Sequence, residues 1–152
     1  MTAHRLLHLD DFKPGQTFTS QSVAVDDAAI KAYAAQFDPQ PFHLDEKAAA
    51  DTFFNGLVAS GWHTASMTMR LLVDGGLPIA GGIIGAGVED IRWPRAVRPG
   101  DALRLESEVL DVRPSRSRPE QGLVKVRTTT FNQNNEPVQV MTSNLVVPRR
   151  TT

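Results

Sequence analysis

The 152-residue chain has no cysteine. Disulfides, thiolate nucleophiles and zinc sites built on Cys sulfur are therefore excluded, and the absence suits the cytoplasm. Neither sign of charge predominates: 16 Lys and Arg face 17 Asp and Glu, a formal net charge of -1. A nucleic-acid partner, which needs a basic footprint to neutralise phosphates, is not expected. Long apolar runs are missing too. They fall well short of the ~20 residues that cross a bilayer, and residues 1–10 hold scattered polar side chains rather than the apolar centre of a signal peptide. The four His are dispersed, so no metal site is expected. With no repeat and no linker, residues 1–152 read as one domain.

What is present is a change of pattern along the chain. Phe12-Lys13-Pro14-Gly15-Gln16 signals a turn, and residues 17–25 alternate as a strand carrying Phe18, Val23 and Val25. Asp26-Asp27 opens an Ala-rich helix over residues 28–36. Pro39 and Pro41 then forbid regular helix, which makes residues 37–42 an ordered loop. Residues 45–51 form one or two helical turns, and Asn55-Gly56 is a turn. Over residues 60–73, Trp62, Ala65, Met69 and Leu72 are spaced for one helix face. Met67 and Leu71 lie on another side, and the positions between are mostly small hydroxyls. Such a helix is buried, which places Trp62 in the core. Leu72-Val73-Asp74-Gly75-Gly76 ends it with glycine. The remainder reads as strand: 83–93, then 102–112 with Leu103, Leu105, Ser107 and Val109 on one face, then 123–132 and 137–147. Helices followed by a meander predict an α+β fold, an antiparallel sheet curled around one long buried helix.

The informative segment is Phe37-Asp38-Pro39-Gln40-Pro41-Phe42-His43-Leu44-Asp45. Two prolines stiffen the backbone between a carboxylate, Asp38, and an imidazole, His43. A stiff loop holds both toward one small substrate. Together they can take a proton from water and deliver one to carbon; which is base and which is acid stays open. A plainer role is open to each: Asp before Pro is a common turn residue, and an isolated His often serves only as a structural hydrogen-bond partner. Ser60-Gly61 stands where the buried helix begins. Unpaired N–H groups and the positive dipole end suit an oxyanion there. Gly61 has no side chain to block access to its N–H, and close helix–sheet packing would equally call for Gly.

Asp38-Pro39-Gln40-Pro41-Phe42-His43-Leu44-Asp45 resembles the hydratase signature of MaoC-like proteins, Asp-x-Asn-Pro-aliphatic-His-x-Asp. Asp38, Pro41, His43 and Asp45 match; Gln40 replaces Asn and Phe42 replaces the aliphatic residue. Phe54-Asn55-Gly56-Leu57-Val58-Ala59-Ser60-Gly61-Trp62-His63-Thr64-Ala65-Ser66 resembles the family's second block, a small-residue turn that opens the central helix. Ile91-Arg92-Trp93-Pro94-Arg95-Ala96-Val97-Arg98-Pro99-Gly100-Asp101 resembles its strand exit and Pro-Gly-Asp turn. The blocks follow in family order across residues 12–147.

The resemblance implies a hot-dog fold and an (R)-specific enoyl-CoA hydratase or the reverse dehydratase, a lyase of fatty-acid metabolism. It implies Asp38 and His43 as the catalytic dyad and Gly61 N–H as the oxyanion donor, with Ser60 beside it. Phe42, Trp62 and Trp93 are candidates to border the substrate, and Phe42 is bulkier than the usual residue. The substrate is a thioester on CoA or on acyl carrier protein, so CoA enters as substrate and no cofactor is expected. A hot-dog thioesterase and a non-catalytic acyl-thioester-binding subunit are the competing readings. The basic run Arg113-Pro114-Ser115-Arg116-Ser117-Arg118 reads as a solvated hairpin loop. Finally, an exposed edge of the curled sheet predicts at least a homodimer, or a higher homo-oligomer.

Overall fold

A computed structural model describes residues 5–151. After a 3-10 turn at Leu9–Asp11, the chain runs through β1 (Thr17–Thr19), β2 (Val23–Ala24), α1 (Asp27–Phe37), α2 (Pro41–Leu44), α3 (Glu46–Ala50) and α4 (Gly61–Leu71). It finishes with β3 (Ile84–Arg92), β4 (Ala102–Pro114), β5 (Gln121–Phe131) and β6 (Pro137–Pro148). The strands form one six-stranded sheet in the order β1-β4-β5-β6-β3, with β2 also pairing β4. Every pairing between these strands is antiparallel. No helix of the described residues is long and apolar enough to cross a membrane.

Residues 17–25 are not the single strand that their alternation predicts. Ser20 breaks it: its hydroxyl accepts the Leu105 N–H at 2.9 Å and donates to the Gln21 carbonyl at 2.7 Å. A side chain thus takes the place of a backbone rung, and the chain steps off the ladder before β2. The meander is also shorter than expected. Only β4, β5 and β6 follow it, because the segment after β3 crosses one end of the sheet. It is tied there by Ala59 N–H to Val97 O (2.9 Å) and Val25 N–H to Asp101 O (2.8 Å). That crossing leaves β3 beside β6 and delivers β4 to the far side.

The helical region follows proline chemistry more finely than a broken loop. Asp26 caps α1 by accepting from Ala29 N at 2.7 Å. Asp38 and Gln40, each preceding a proline, leave the helical region, at φ −154°, ψ 65° and φ −107°, ψ 151°. Pro41 then begins a new helical turn, because the first helical position needs no N–H partner. Residues 41–44 are therefore helix, not loop, and His43 rides on that turn.

The central helix is buried on the face opposite to the one its apolar spacing predicts. Thr64, Thr68, His63 and Leu71 are buried, whereas Trp62 is 59% exposed and Met69 40%. Trp62 is thus a surface residue of the chain and not part of the core. The hydroxyl face wins because the sheet meets it with polar partners: Thr68 Oγ1 lies 2.7 Å from Thr130 Oγ1 of β5. Small residues also let helix and sheet approach closely. Helix α4 ends in a π-turn at Leu72–Gly76, closed by Gly75 at φ 124°, a conformation in which a β-carbon is disfavoured.

Two apolar clusters flank this polar centre. One gathers Leu9, Leu71, Leu72, Leu105, Val109, Val126 and Val147 at the C-terminal end of α4. The other gathers Val25, Ile30, Ala49, Leu57, Val97, Leu103 and Val138 at the N-terminal end. The second cluster holds α1, α2 and α3 against the sheet, and so carries the segment from Asp38 to His43.

Candidate active site

His43 is buried, and two contacts decide its state. Its Nδ1 lies 2.6 Å from the Val58 carbonyl oxygen. A carbonyl only accepts, so Nδ1 bears the proton and Nε2 is the free nitrogen. The Val58 N–H in turn reaches the Phe42 carbonyl at 3.0 Å, so the strand-like run before α4 grips the α2 turn. Phe42 packs edge-on against the imidazole, with ring centroids 4.5 Å apart at 89°.

Nε2 faces Asp38 Oδ2 at 3.3 Å. Gln40 Nε2 donates to the carboxylate's Oδ1 at 2.5 Å, and the Ser60 hydroxyl lies beside it. Burial pushes the Asp38 pKa up, but Ser60, Gln40 and a protonated His43 each favour the charged form and together outweigh it, so the group titrates below its ordinary value of 3.8. A neutral imidazole with its proton on Nδ1 presents a lone pair to this carboxylate. Two acceptors at that distance need a donor to share. The pair is therefore a seat for one shared proton, or for one water lying against both groups.

Ser60 joins the pair to the central helix. It is fully buried, caps α4 by accepting from Trp62 N at 3.2 Å, and sets its hydroxyl beside Asp38. Gly61, next in the chain, occupies the first helical position, where the amide has no intrahelical acceptor. Asp38, His43, Ser60 and Gly61 are thus brought together as the sequence predicts.

The other expected residues divide. Phe42 touches His43. Trp93 reaches the helix start: a β-carbon at Gly61 would lie 2.7 Å from Trp93 Cε2. Trp62 meets Trp93 with ring centroids 5.3 Å apart at 79°, so it stands at the site's rim. Asp45 is a helix cap, accepting from Ala48 N at 2.9 Å. The loop carrying Arg116 and Arg118 is exposed, at the end of the sheet away from this cluster.

His63 is buried and stacks on Tyr33, with centroids 4.7 Å apart and planes 8° from parallel. Burial pushes its pKa below 6.5, and its buried Nδ1 has no hydrogen-bond partner among the described residues. It is a neutral packing residue. The Val58 carbonyl that sets the His43 tautomer could not be read from sequence, because any residue supplies a carbonyl.

An apolar groove of about 370 Å³ runs between α4 and the β3–β6 side of the sheet, lined by Met69, Leu72, Ile83, Val88, Met141 and Leu145 among others. Among the described residues no group of three or more His, Asp and Glu side chains converges as metal ligands would.

Comparison with known proteins agrees with this architecture. The family model described as MaoC like domain matches residues 11–132. YdeM of Bacillus subtilis (strain 168), itself uncharacterised, is 35% identical over 127 residues, covering 84% of this chain and 89% of YdeM. Among solved structures, the MaoC-like dehydratase from Rhodospirillum rubrum is 53% identical with a TM-score of 0.93, covering 96% of this chain and 99% of its own. The (R)-hydratase from A. caviae involved in PHA biosynthesis is 26% identical with a TM-score of 0.73, covering 91% of this chain and 98% of its own. The curled antiparallel sheet over α4 is the hot-dog fold of these structures. With its signature residues assembled at the start of that helix, the chain belongs to the MaoC-like domain family.

Proposed function

We propose that the protein is a hydro-lyase that reversibly adds water to a 2-enoyl thioester, carried on CoA or on acyl carrier protein, to give the 3-hydroxyacyl thioester. The observation that carries this reading is the Asp38–His43 pair at 3.3 Å, joined through Ser60 to the free amide end of α4. Hydration needs a base for water, a donor for the thioester oxygen, and a proton for the α-carbon. Asp38, held ionised, is a weak base. His43 Nε2, unprotonated in the neutral ring, is the stronger one and takes the proton of a water lying against both groups. The water oxygen bonds to the β-carbon, and the π electrons move toward the thioester oxygen. That oxygen lies against Gly61 N–H, where the dipole of α4 favours negative charge. His43 then returns its proton to the α-carbon, and Asp38 stabilises the imidazolium meanwhile. The indoles of Trp93 and Trp62 and the ring of Phe42 form the apolar border. The (R)-hydratase and the MaoC-like dehydratase among the similar structures support this direction.

The experiment follows the ultraviolet enoyl band of crotonyl-CoA together with free thiol. Loss of the band without thiol release is the expected result. Thiol release at the same rate would show a thioesterase, and no change in either would reject catalysis on this ester.

The same reading includes a second copy of the chain. Trp62, Met69 and Val73 on α4 and its π-turn, with Ile84, Val88 and Trp93 on or beside β3, are all exposed. They adjoin the outer rim of β3, an edge strand whose outward backbone groups have no ladder partner among the described residues. Pairing β3 with β3 of a second copy buries both the ladder and the apolar side chains beside the site. Light scattering is expected to give twice the mass of the 16.6 kDa chain; a monomer mass rejects the pairing.

A further inference from the structure

Gln139 is fully buried in β6, between Val138 and Val140. A buried primary amide costs stability unless its donors and acceptor are met. Gln139 pairs its oxygen and one N–H by linking three parts of the chain. Trp93 Nε1 donates to its Oε1 at 3.0 Å, and its Nε2 donates to Thr68 Oγ1 of α4 at 3.3 Å. Thr68 Oγ1 also lies 2.7 Å from Thr130 Oγ1 and donates to the Thr64 carbonyl at 2.9 Å. The proton directions are determined throughout. An indole N–H can only donate, so the amide end facing it is oxygen, and the other end gives its proton to Thr68. Thr68 has spent its own proton on the Thr64 carbonyl, so Thr130 donates to Thr68.

The indole at the end of this chain touches the site. Trp93 covers the α-carbon of Gly61 so closely that a β-carbon would fall 2.7, 2.9 and 3.0 Å from Cε2, Cδ2 and Cζ2. The amide proposed to hold the thioester oxygen is therefore located by two contacts: the Ser60 cap below it and the Trp93 ring above. The ring is held by Gln139, and Gln139 by the second turn of the same helix. Trp93 is 39% exposed and Trp62 more so, so burial alone does not hold the ring in place.

We infer that Gln139 is a positioning residue which, through Trp93, sets the place of the Gly61 amide relative to the Asp38–His43 pair. This rests on the hydratase reading. It adds a fully buried residue that reaches the site only through Trp93.

The test compares Gln139→Met, Trp93→Phe and the double variant. Methionine keeps the volume of Gln139 and removes both ends of the link; phenylalanine removes the indole N–H. For crotonyl-CoA hydration, both single variants are expected to lose kcat by roughly tenfold or more with KM little changed, since a displacement of about 1 Å at a reacting centre can cost about a hundredfold. The double variant is expected to be no slower than the slower single one. Full kcat in Trp93→Phe overturns the inference, as do losses that multiply in the double variant. Trp93→Phe leaves the buried amide in place, so it carries the test alone if Gln139→Met fails to fold.

A second measurement stands apart from activity. In 15N-labelled protein the Trp93 indole N–H, assigned by its loss in Trp93→Phe, is expected to exchange slowly. In Gln139→Met it exchanges quickly, and the Gly61 amide signal shifts with it. A Gly61 signal unmoved in Gln139→Met overturns the inference whatever the protein catalyses. A wild-type chain inert toward enoyl thioesters overturns the hydratase reading and leaves the positioning claim to this measurement.

Discussion

Asp38→Asn is expected to lower kcat for enoyl-thioester hydration by roughly 10²–10⁴-fold, the usual share of a positioned acid–base group, while the chain stays folded. Asparagine fits the space of the carboxylate and can still bond with Ser60 and Gln40. What it loses is the charge that stabilises a protonated His43. His43→Asn is the matching variant, because its amide can still donate toward the Val58 carbonyl that Nδ1 reaches at 2.6 Å, while Nε2 disappears. Both variants should keep KM within a few-fold of wild type. The double variant should be no slower than the worse single one, as for groups that act as a unit. Circular dichroism melting establishes that each is folded, and the enoyl band gives the rates. Either folded variant retaining wild-type kcat removes the dyad from the mechanism. The pH profile adds a check of sign. Asp38 titrates below 3.8, so its carboxylate stays ionised as pH falls to that value. An acid limb lying above pH 3.8 therefore belongs to another group.

Gly61→Ala is expected to be the second most damaging change, with kcat down by about a hundredfold, the scale of one displaced oxyanion donor. The variant keeps the N–H itself. Helix propensity points the other way, since Ala is the better helix former by up to about 1 kcal/mol. Any loss is then traceable to contact: the new methyl would sit 2.7 Å from a ring pinned by Gln139. A fall in Tm should accompany the fall in rate. Adding Trp93→Ala makes room for the methyl but should restore neither Tm nor kcat, because the buried Gln139 oxygen then loses its donor and the indole that locates the amide is gone. Full activity in Gly61→Ala would show that neither the ring nor the amide matters at this point.

The sequence carried the dyad because its signals are local. Two prolines, a cap-forming Ser60 and a glycine lie within one stretch from Asp38 to Gly61, and each acts through neighbours in the chain. The four long strands were legible for the same reason, from alternation such as Leu103, Leu105, Ser107 and Val109. Features set by distant residues were not. Trp62 and Met69 have the spacing of a buried face, yet the helix turns Thr64 and Thr68 inward because Thr130 and Gln139 wait on the sheet. Gln139 itself looks like a solvent-facing position between Val138 and Val140. Its burial follows from what Trp93 and Thr68 offer it, and no local pattern records that. Pro41 shows the converse error: a residue that ends helices also starts them.

The interruption of the first strand at Ser20 bears on how far assembly can run. A sheet offers two places where further chains can add. On one side lies β3, nine residues long, with Ile84 and Val88 exposed on it; on the other lie β1 and β2, three and two residues long. If β3 is used up by joining two copies, the margins left facing outward are these short stubs, with the Leu105 N–H between them already satisfied by a serine hydroxyl. Growth then stops at a closed pair, because no third chain finds a continuous template for a fibre.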